Sequence, residues 1–217
     1  MPEWKRYVFK VKLFKIDKDI FEKALTLKED EDKNLYLYLK WVYEDERQVE
    51  STFTILAERP DISLKLAITK ERFKKNLRNP ESKLNDTASE QYEDILDKQA
   101  DICIQIFSKP ICVLSGAAGT GKTTVIKAIV ENIERVHGQA AGFLLMAPTG
   151  KAAERIKTQT DKNSSTLHSF LASNGWLNKN FTLKRVGGGK GQDVNTIIID
   201  ECSMIDLNLF ATLLRSI

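Results

Sequence analysis

The stretch Ile111-Cys112-Val113-Leu114-Ser115-Gly116-Ala117-Ala118-Gly119-Thr120-Gly121-Lys122-Thr123 decides the fold. From Gly116 to Thr123 it fits the pattern G-x-x-x-x-G-K-[ST] at every fixed position. The apolar run Ile111–Leu114 before it predicts a short strand. After it, Ile126, Ile129, Val130 and Ile133 fall at i, i+3, i+4 and i+7, one face of a helix that ends by Gly138. Strand, glycine loop and helix N-terminus together make an anion cradle. Glycines let several backbone N–H groups turn toward one phosphate, and the helix end adds partial positive charge. Gly116, Ala117, Ala118, Gly119, Thr120 and Gly121 are the candidate phosphate wrap, continuing into Thr124. Lys122 is placed to reach the β- and γ-phosphates of a bound nucleotide, and Thr123 to put its hydroxyl on Mg²⁺.

Working outward, Phe143–Ala147 reads as a second strand and Ile197–Asp200 as a third. Strands alternating with helices predict an α/β fold with a parallel sheet, the P-loop NTPase arrangement. Ile197-Ile198-Ile199-Asp200-Glu201 brings a carboxylate to the carboxyl edge of such a sheet, where ligands bind in open α/β folds. Asp200 is then the Mg²⁺-holding acid, acting through water, and Glu201 the general base for the attacking water. Gln99 lies upstream, on a helix predicted to start near Thr87, with Glu90 completing a T-x-x-E capping box. Its amide can pair with the N6/N7 edge of adenine, as glutamine does elsewhere.

The first part of the chain has another rhythm. Charged residues are about twice as dense before residue 90 as after it, as in a small module with much surface. Tyr7, Phe9, Val11 and Leu13 alternate with Val8, Lys10 and Lys12, and Leu35 to Tyr43 alternate likewise. Phe53 with Ile55, and Ile62 through Ile68, suggest two more strands, and Asp19–Lys28 a helix. Trp41 falls in a strand pattern and is assigned to the core, while Trp176 is assigned to local packing. The basic segment Thr69–Arg78 reads as a helix anchored by Phe73 and Leu77, its cations on a solvated face. We place a boundary near Asn79-Pro80-Glu81-Ser82, giving a small α+β module over residues 1–85 and an ATPase lobe over residues 86–217.

Composition narrows the class. The 217 residues are 42% apolar and 29% charged, a globular balance that excludes wholesale disorder. A net charge of +3 is too weak to identify a nucleic-acid partner by itself. No apolar run approaches the roughly 18 residues of a membrane span, and no apolar stretch follows Met1-Pro2-Glu3-Trp4-Lys5-Arg6. Cys103, Cys112 and Cys202 form no C-x-x-C and sit in apolar stretches, so buried reduced thiols and a cytoplasmic location are expected, with no membrane partner.

Five blocks then occur in a particular order: Asp97-Lys98-Gln99-Ala100; Gly116 to Thr124; Ala147-Pro148-Thr149-Gly150-Lys151-Ala152-Ala153; Thr166-Leu167-His168; and Asp200-Glu201-Cys202-Ser203-Met204. This series resembles a RecD-like superfamily 1 DNA helicase over about residues 90 to 217. The resemblance implies an ATP-driven motor moving 5′ to 3′ on single-stranded DNA, in DNA repair or recombination, with other subunits as possible partners. It implies that Pro148, Thr149, Gly150 and Lys151, together with Thr166 and His168, lie along the DNA strand. Threonine hydroxyls, a glycine N–H and a lysine suit phosphate contacts. Such helicases have two RecA-like lobes with ATP between them. The resemblance therefore implies that the lobe here is incomplete at its C-terminal side. The family's γ-phosphate-sensing strand, which sits between the strands of Ile111–Leu114 and Ile197–Asp200, is not in the sequence, nor is the second lobe with its arginine. A fragment of a longer helicase, with little catalysis of its own, is the expectation. The alternative is a DNA- or protein-binding ATPase switch that separates no strands.

Overall fold

A computed structural model gives the fold and describes residues 18–62, 68–80, 82, 89–117, 119–137, 142–189 and 196–217. The predicted strand at 7–13, the cap at Thr87, Leu64, Leu66 and Ala118 lie outside the described residues. The chain divides into two compact units, residues 1–51 and 52–217, so the segment Asn79–Ser82 falls inside the larger one.

The smaller unit contains a helical turn, α1 (Lys18–Phe21), a hairpin of β1 (Leu25–Glu29) and β2 (Leu35–Leu39), and the start of α2 (Lys40–Glu58). The strands run antiparallel, with Leu25 opposite Leu39 and Leu27 opposite Leu37. Asp30 builds the turn: its carboxylate accepts from Asn34 N at 2.7 Å, Asn34 Nδ2 at 2.9 Å and the Tyr36 hydroxyl at 3.0 Å. An Asp that bonds nearby backbone is a turn-forming residue for this reason.

Several expectations are corrected in this region. The helix expected over Asp19–Lys28 is one turn, because Leu25 and Leu27 alternate onto one face of β1. The strand expected to Tyr43 stops at Leu39, and Phe53 and Ile55 lie in α2, not in a strand. Val42, Glu46, Val49, Phe53 and Leu56 recur at helical spacing and are its half-buried stripe, while Ile55 faces out. Trp41 is on that helix too, and exposed.

In the larger unit the order is α3 (Lys70–Leu77), α4 (Ser89–Ser108), α5 (Lys122–His137), β3 (Phe143–Ala147), α6 (Gly150–Thr160), β4 (Ser165–Thr166), α7 (Leu167–Ser173), β5 (Thr196–Ile199) and α8 (Leu207–Ser216). The three strands are parallel, in the order β4-β3-β5. Pleating sends alternate side chains of β3 to opposite faces. Leu145 and Ala147 pack with Ile126, Val130, Ala153 and Ile156 of α5 and α6. Met146 packs with Leu167, Phe170 and Leu171 of α7 and Leu209 and Leu213 of α8. Both faces are thus covered, which is why β3 reads as a continuous apolar run.

A further layer is helical. Phe73 and Leu77 of α3 are buried against Leu96, Ala100, Cys103 and Phe107 of α4 and Val125 and Ile129 of α5. The cations of α3 and its C-cap, Arg78, are not simply solvated. Lys70 pairs with Asp101 at 2.9 Å, Lys74 with Glu93 and Asp97 at 3.0 Å each, and Arg78 with Glu93. The acidic face of α4 therefore holds most of the charge that the basic segment carries.

Other corrections concern strands and thiols. Ile111–Leu114 forms no ladder, and Val113 is 84% exposed. A strand exists only through a partner's hydrogen bonds, and among the described residues no strand pairs with the free edge of β5. Cys103 is buried, and burial pushes its thiol pKa up to about 12, but Cys112 and Cys202 are exposed; all three are free. Trp176 packs locally, with its indole N–H donating to the Gly189 carbonyl. Among the described residues no helix is long and apolar enough to cross a membrane.

Candidate nucleotide-binding site

The loop before α5 takes its shape from two glycines in the left-handed region, Gly119 at φ 78° and Gly121 at φ 83°. Residues with a Cβ adopt that conformation at a cost, so the glycine positions of the motif are backbone requirements. Gly121 has a second constraint. A Cβ there would stand 2.6 Å from Gln99 Nε2. Gln99 reaches the loop from α4, and its amide donates to the Thr120 carbonyl at 3.2 Å. Thr120 Oγ1 in turn donates to the Ala117 carbonyl at 2.8 Å. The Lys122 ammonium lies inside the loop, donating to the carbonyls of Gly116 at 2.7 Å and Ala117 at 2.9 Å. Lys122 is thus held at the mouth of its own cradle by groups a phosphate can replace.

The sheet delivers the acids. Asp200 follows β5, and its N–H bonds the Met146 carbonyl at 3.0 Å, extending the ladder. The residue is 8% exposed. One carboxylate oxygen, Oδ1, accepts from the Glu201 N–H at 2.9 Å. The other, Oδ2, is buried with no hydrogen-bond partner. Glu201 sits at φ 55°, ψ 38°, a left-handed conformation that is uncommon for a residue with a Cβ and that turns the chain sharply after the strand.

Sequence reasoning did not single out Arg155, yet it joins the two halves of the site. From α6, its Nη2 donates to Thr123 Oγ1 at 3.1 Å and lies 3.9 Å from Asp200 Oδ2. Its Nη1 lies 3.8 Å from Glu201 Oε1. A hydroxyl and two carboxylates therefore converge on one place, and the buried, unpartnered Oδ2 lacks only a cation in contact with it. This hard-oxygen set suits Mg²⁺, which is usually bound by one or two carboxylates plus phosphates. Among the described residues no group of three His, Cys, Asp or Glu is clustered to hold a metal alone, so nucleotide oxygens would complete the shell.

The remaining candidates also gather at the carboxyl edge of the sheet. Pro148, Thr149, Gly150 and Lys151 follow β3, Thr166 ends β4, and His168 lies in the first turn of α7. Thr149 and Thr166 are helix N-caps as well: their hydroxyls accept from Ala152 N and Ser169 N, satisfying first-turn donors of α6 and α7. Gly150, Lys151 and His168 are exposed there.

A glycine loop at a helix N-terminus, facing an acid at the end of a parallel strand, defines a P-loop NTPase. The chain belongs to the AAA domain family, whose model matches residues 99–217, and it is similar to RecD-like superfamily 1 helicases. It is 29% identical over 92% of its length to the uncharacterized protein MJ1519 of Methanocaldococcus jannaschii. It is 33% identical over 56% of its length to the ATP-dependent RecD2 DNA helicase of Deinococcus radiodurans. It is 35% identical over 48% of its length to the ATP-dependent DNA helicase dda of Enterobacteria phage T4. These alignments span 18%, 16% and 24% of those relatives.

Proposed function

We propose that the chain is the ATP-binding lobe, with an N-terminal module, of a helicase that moves 5′ to 3′ along single-stranded DNA as it hydrolyses ATP. The observation that carries this reading is the convergence of Thr123, Asp200 and Glu201 on Arg155 at one sheet edge, next to the loop that holds Lys122 and beside the exposed residues after β3 and β4. In this reading the loop from Gly116 to Gly121 and Thr124 wraps the phosphates, and Gln99 reads the adenine edge from its seat on the loop. Lys122 exchanges its two carbonyls for the β- and γ-phosphates. Thr123 and Asp200 would hold Mg²⁺, which supplies charge neutralisation across the phosphates when bound. Glu201 orients the attacking water and accepts its proton. Thr149, Gly150, Lys151, Thr166 and His168, with Pro148 shaping the turn, contact the backbone of the strand.

The free edge of β5 and the unladdered Ile111–Leu114 support the further proposal that this lobe is part of a longer protein, which supplies the intervening strand and a second lobe. An arginine from that lobe would add roughly 10³ to 10⁵ in rate.

Two measurements test the proposal. A fluorescent ATP analogue should bind the chain, and Lys122→Ala should abolish binding. The full-length protein should unwind duplexes with a 5′ single-stranded tail and leave 3′-tailed duplexes intact. ATP-gated DNA binding with no strand separation on either substrate would replace the motor with a switch.

A further inference from the structure

Arg155 is half-exposed on α6, one turn beyond Lys151. The oxygens its guanidinium faces are the Thr123 hydroxyl, Asp200 Oδ2 and Glu201 Oε1, at 3.1, 3.9 and 3.8 Å. We propose that Arg155 is a positioning residue of the nucleotide site. It holds these three oxygens together in the nucleotide-free chain and gives them up when a magnesium-bound nucleotide arrives. The inference rests on the nucleotide-binding reading above.

The charge balance makes the arrangement necessary. A carboxylate oxygen buried without a hydrogen bond needs a nearby cation, and Arg155 is the one ion-paired with Asp200 among the described residues. At 3.9 Å the guanidinium compensates Asp200 by charge without bonding it, so a cation in direct contact would do so better. A divalent cation on Thr123 and Asp200 would also repel a guanidinium within hydrogen-bond distance of the same hydroxyl. The two cations therefore compete, and Arg155, about half-exposed, has solvent to swing into. Its helix opens with Thr149, Gly150 and Lys151, so release of Arg155 frees α6 from the phosphate loop at the end that carries the candidate DNA contacts. Occupancy of the nucleotide site is thereby linked to the placement of α6.

The test is a Mg²⁺ titration of fluorescent ATP-analogue binding to the chain. Wild type, Arg155→Met, Arg155→Lys and Lys122→Ala are compared, with melting measured in EDTA. Arg155→Met should lower the Mg²⁺ midpoint by roughly two- to five-fold, the scale of one partly exposed charge interaction. It should also melt earlier than wild type without metal, and recover when Mg²⁺ and nucleotide are present. Arg155→Lys, which keeps the charge, should stay near wild type. Should the Met variant fail to fold, Arg155→Gln, which keeps a donor for Thr123 but no charge, should show the same lowered midpoint. A raised midpoint would make Arg155 a phosphate-holding group, and an unchanged one would make it a bystander; either overturns its role while Lys122-dependent binding stands. Absence of Lys122-dependent binding in wild type would overturn the nucleotide reading and this one with it.

Discussion

The Gln99 amide donates to the Thr120 carbonyl at 3.2 Å and fills the space where a Cβ on Gly121 would go. Gly121→Ala therefore meets two obstacles, the contact with Gln99 and a φ of 83°. The second persists when the first is removed. Gly121→Ala should weaken binding of a fluorescent ATP analogue roughly ten-fold or more, from a backbone conformation that costs about 1–3 kcal/mol for a residue with a Cβ. Adding Gln99→Ala should restore little of it. Full recovery in the double variant would show that the clash, not the backbone, is limiting.

Glu201→Gln separates binding from chemistry. It keeps the side-chain shape and the backbone turn at φ 55° but removes the proton acceptor. In the full-length protein it should bind nucleotide with wild-type affinity and lose at least about 100-fold in turnover. Equal losses in binding and turnover would assign Glu201 to the metal and nucleotide, not to water.

Glu201 and the strand before it show what the sequence makes legible. Phe143–Ala147 and Ile197–Ile199 are readable because strands covered on both faces, fully or in part, are apolar throughout. Lys122, Thr123, Asp200 and Glu201 are readable as candidates because their spacing to glycine or to a strand end is local. Arg155 is not, since its role depends on α6 being laid across to Thr123 and Asp200, residues far away in sequence. The stretch from Leu35 to Tyr43 misleads for a different reason: period-2 alternation runs without a break into the 3.6-residue period of α2.

Core burial and ion pairing should weigh very differently in α3. Phe73 is fully buried and packs against Phe107, the rings tilted by 53° with centres 5.6 Å apart. Phe73→Ala should cost about 3–5 kcal/mol in urea unfolding of the chain. Lys74→Met, which removes two partly exposed ion pairs, should shift the midpoint far less.

The same ladder sets a pH dependence. Hydrogen bonds from Lys74, with the cations beside it, hold Asp97 below its usual value of 3.8; Arg78 and then Lys74 hold Glu93 below 4.5. Folded pKa values lowered in this way contribute stability above the ordinary carboxylate range, and that contribution is lost as pH falls through the lowered values. Lys74 is raised above 10.5 by Asp97 and Glu93, so its share is complete below that value and is lost as pH rises past it. The contribution is a plateau between the two limits. Asp97→Asn should therefore lower the melting temperature at pH 7 but bring it closer to wild type at pH 3, as thermal denaturation at the two pH values would show. An equal deficit at both would remove the ladder as the cause.

The most direct test of the central claim is the steady-state ATPase rate of the full-length protein with and without single-stranded DNA, for wild type and Lys122→Ala. The proposed helicase function predicts slow hydrolysis that single-stranded DNA stimulates strongly, and none in the variant. Hydrolysis at the same rate without DNA, or turnover that survives Lys122→Ala, would contradict a DNA motor built on this phosphate loop.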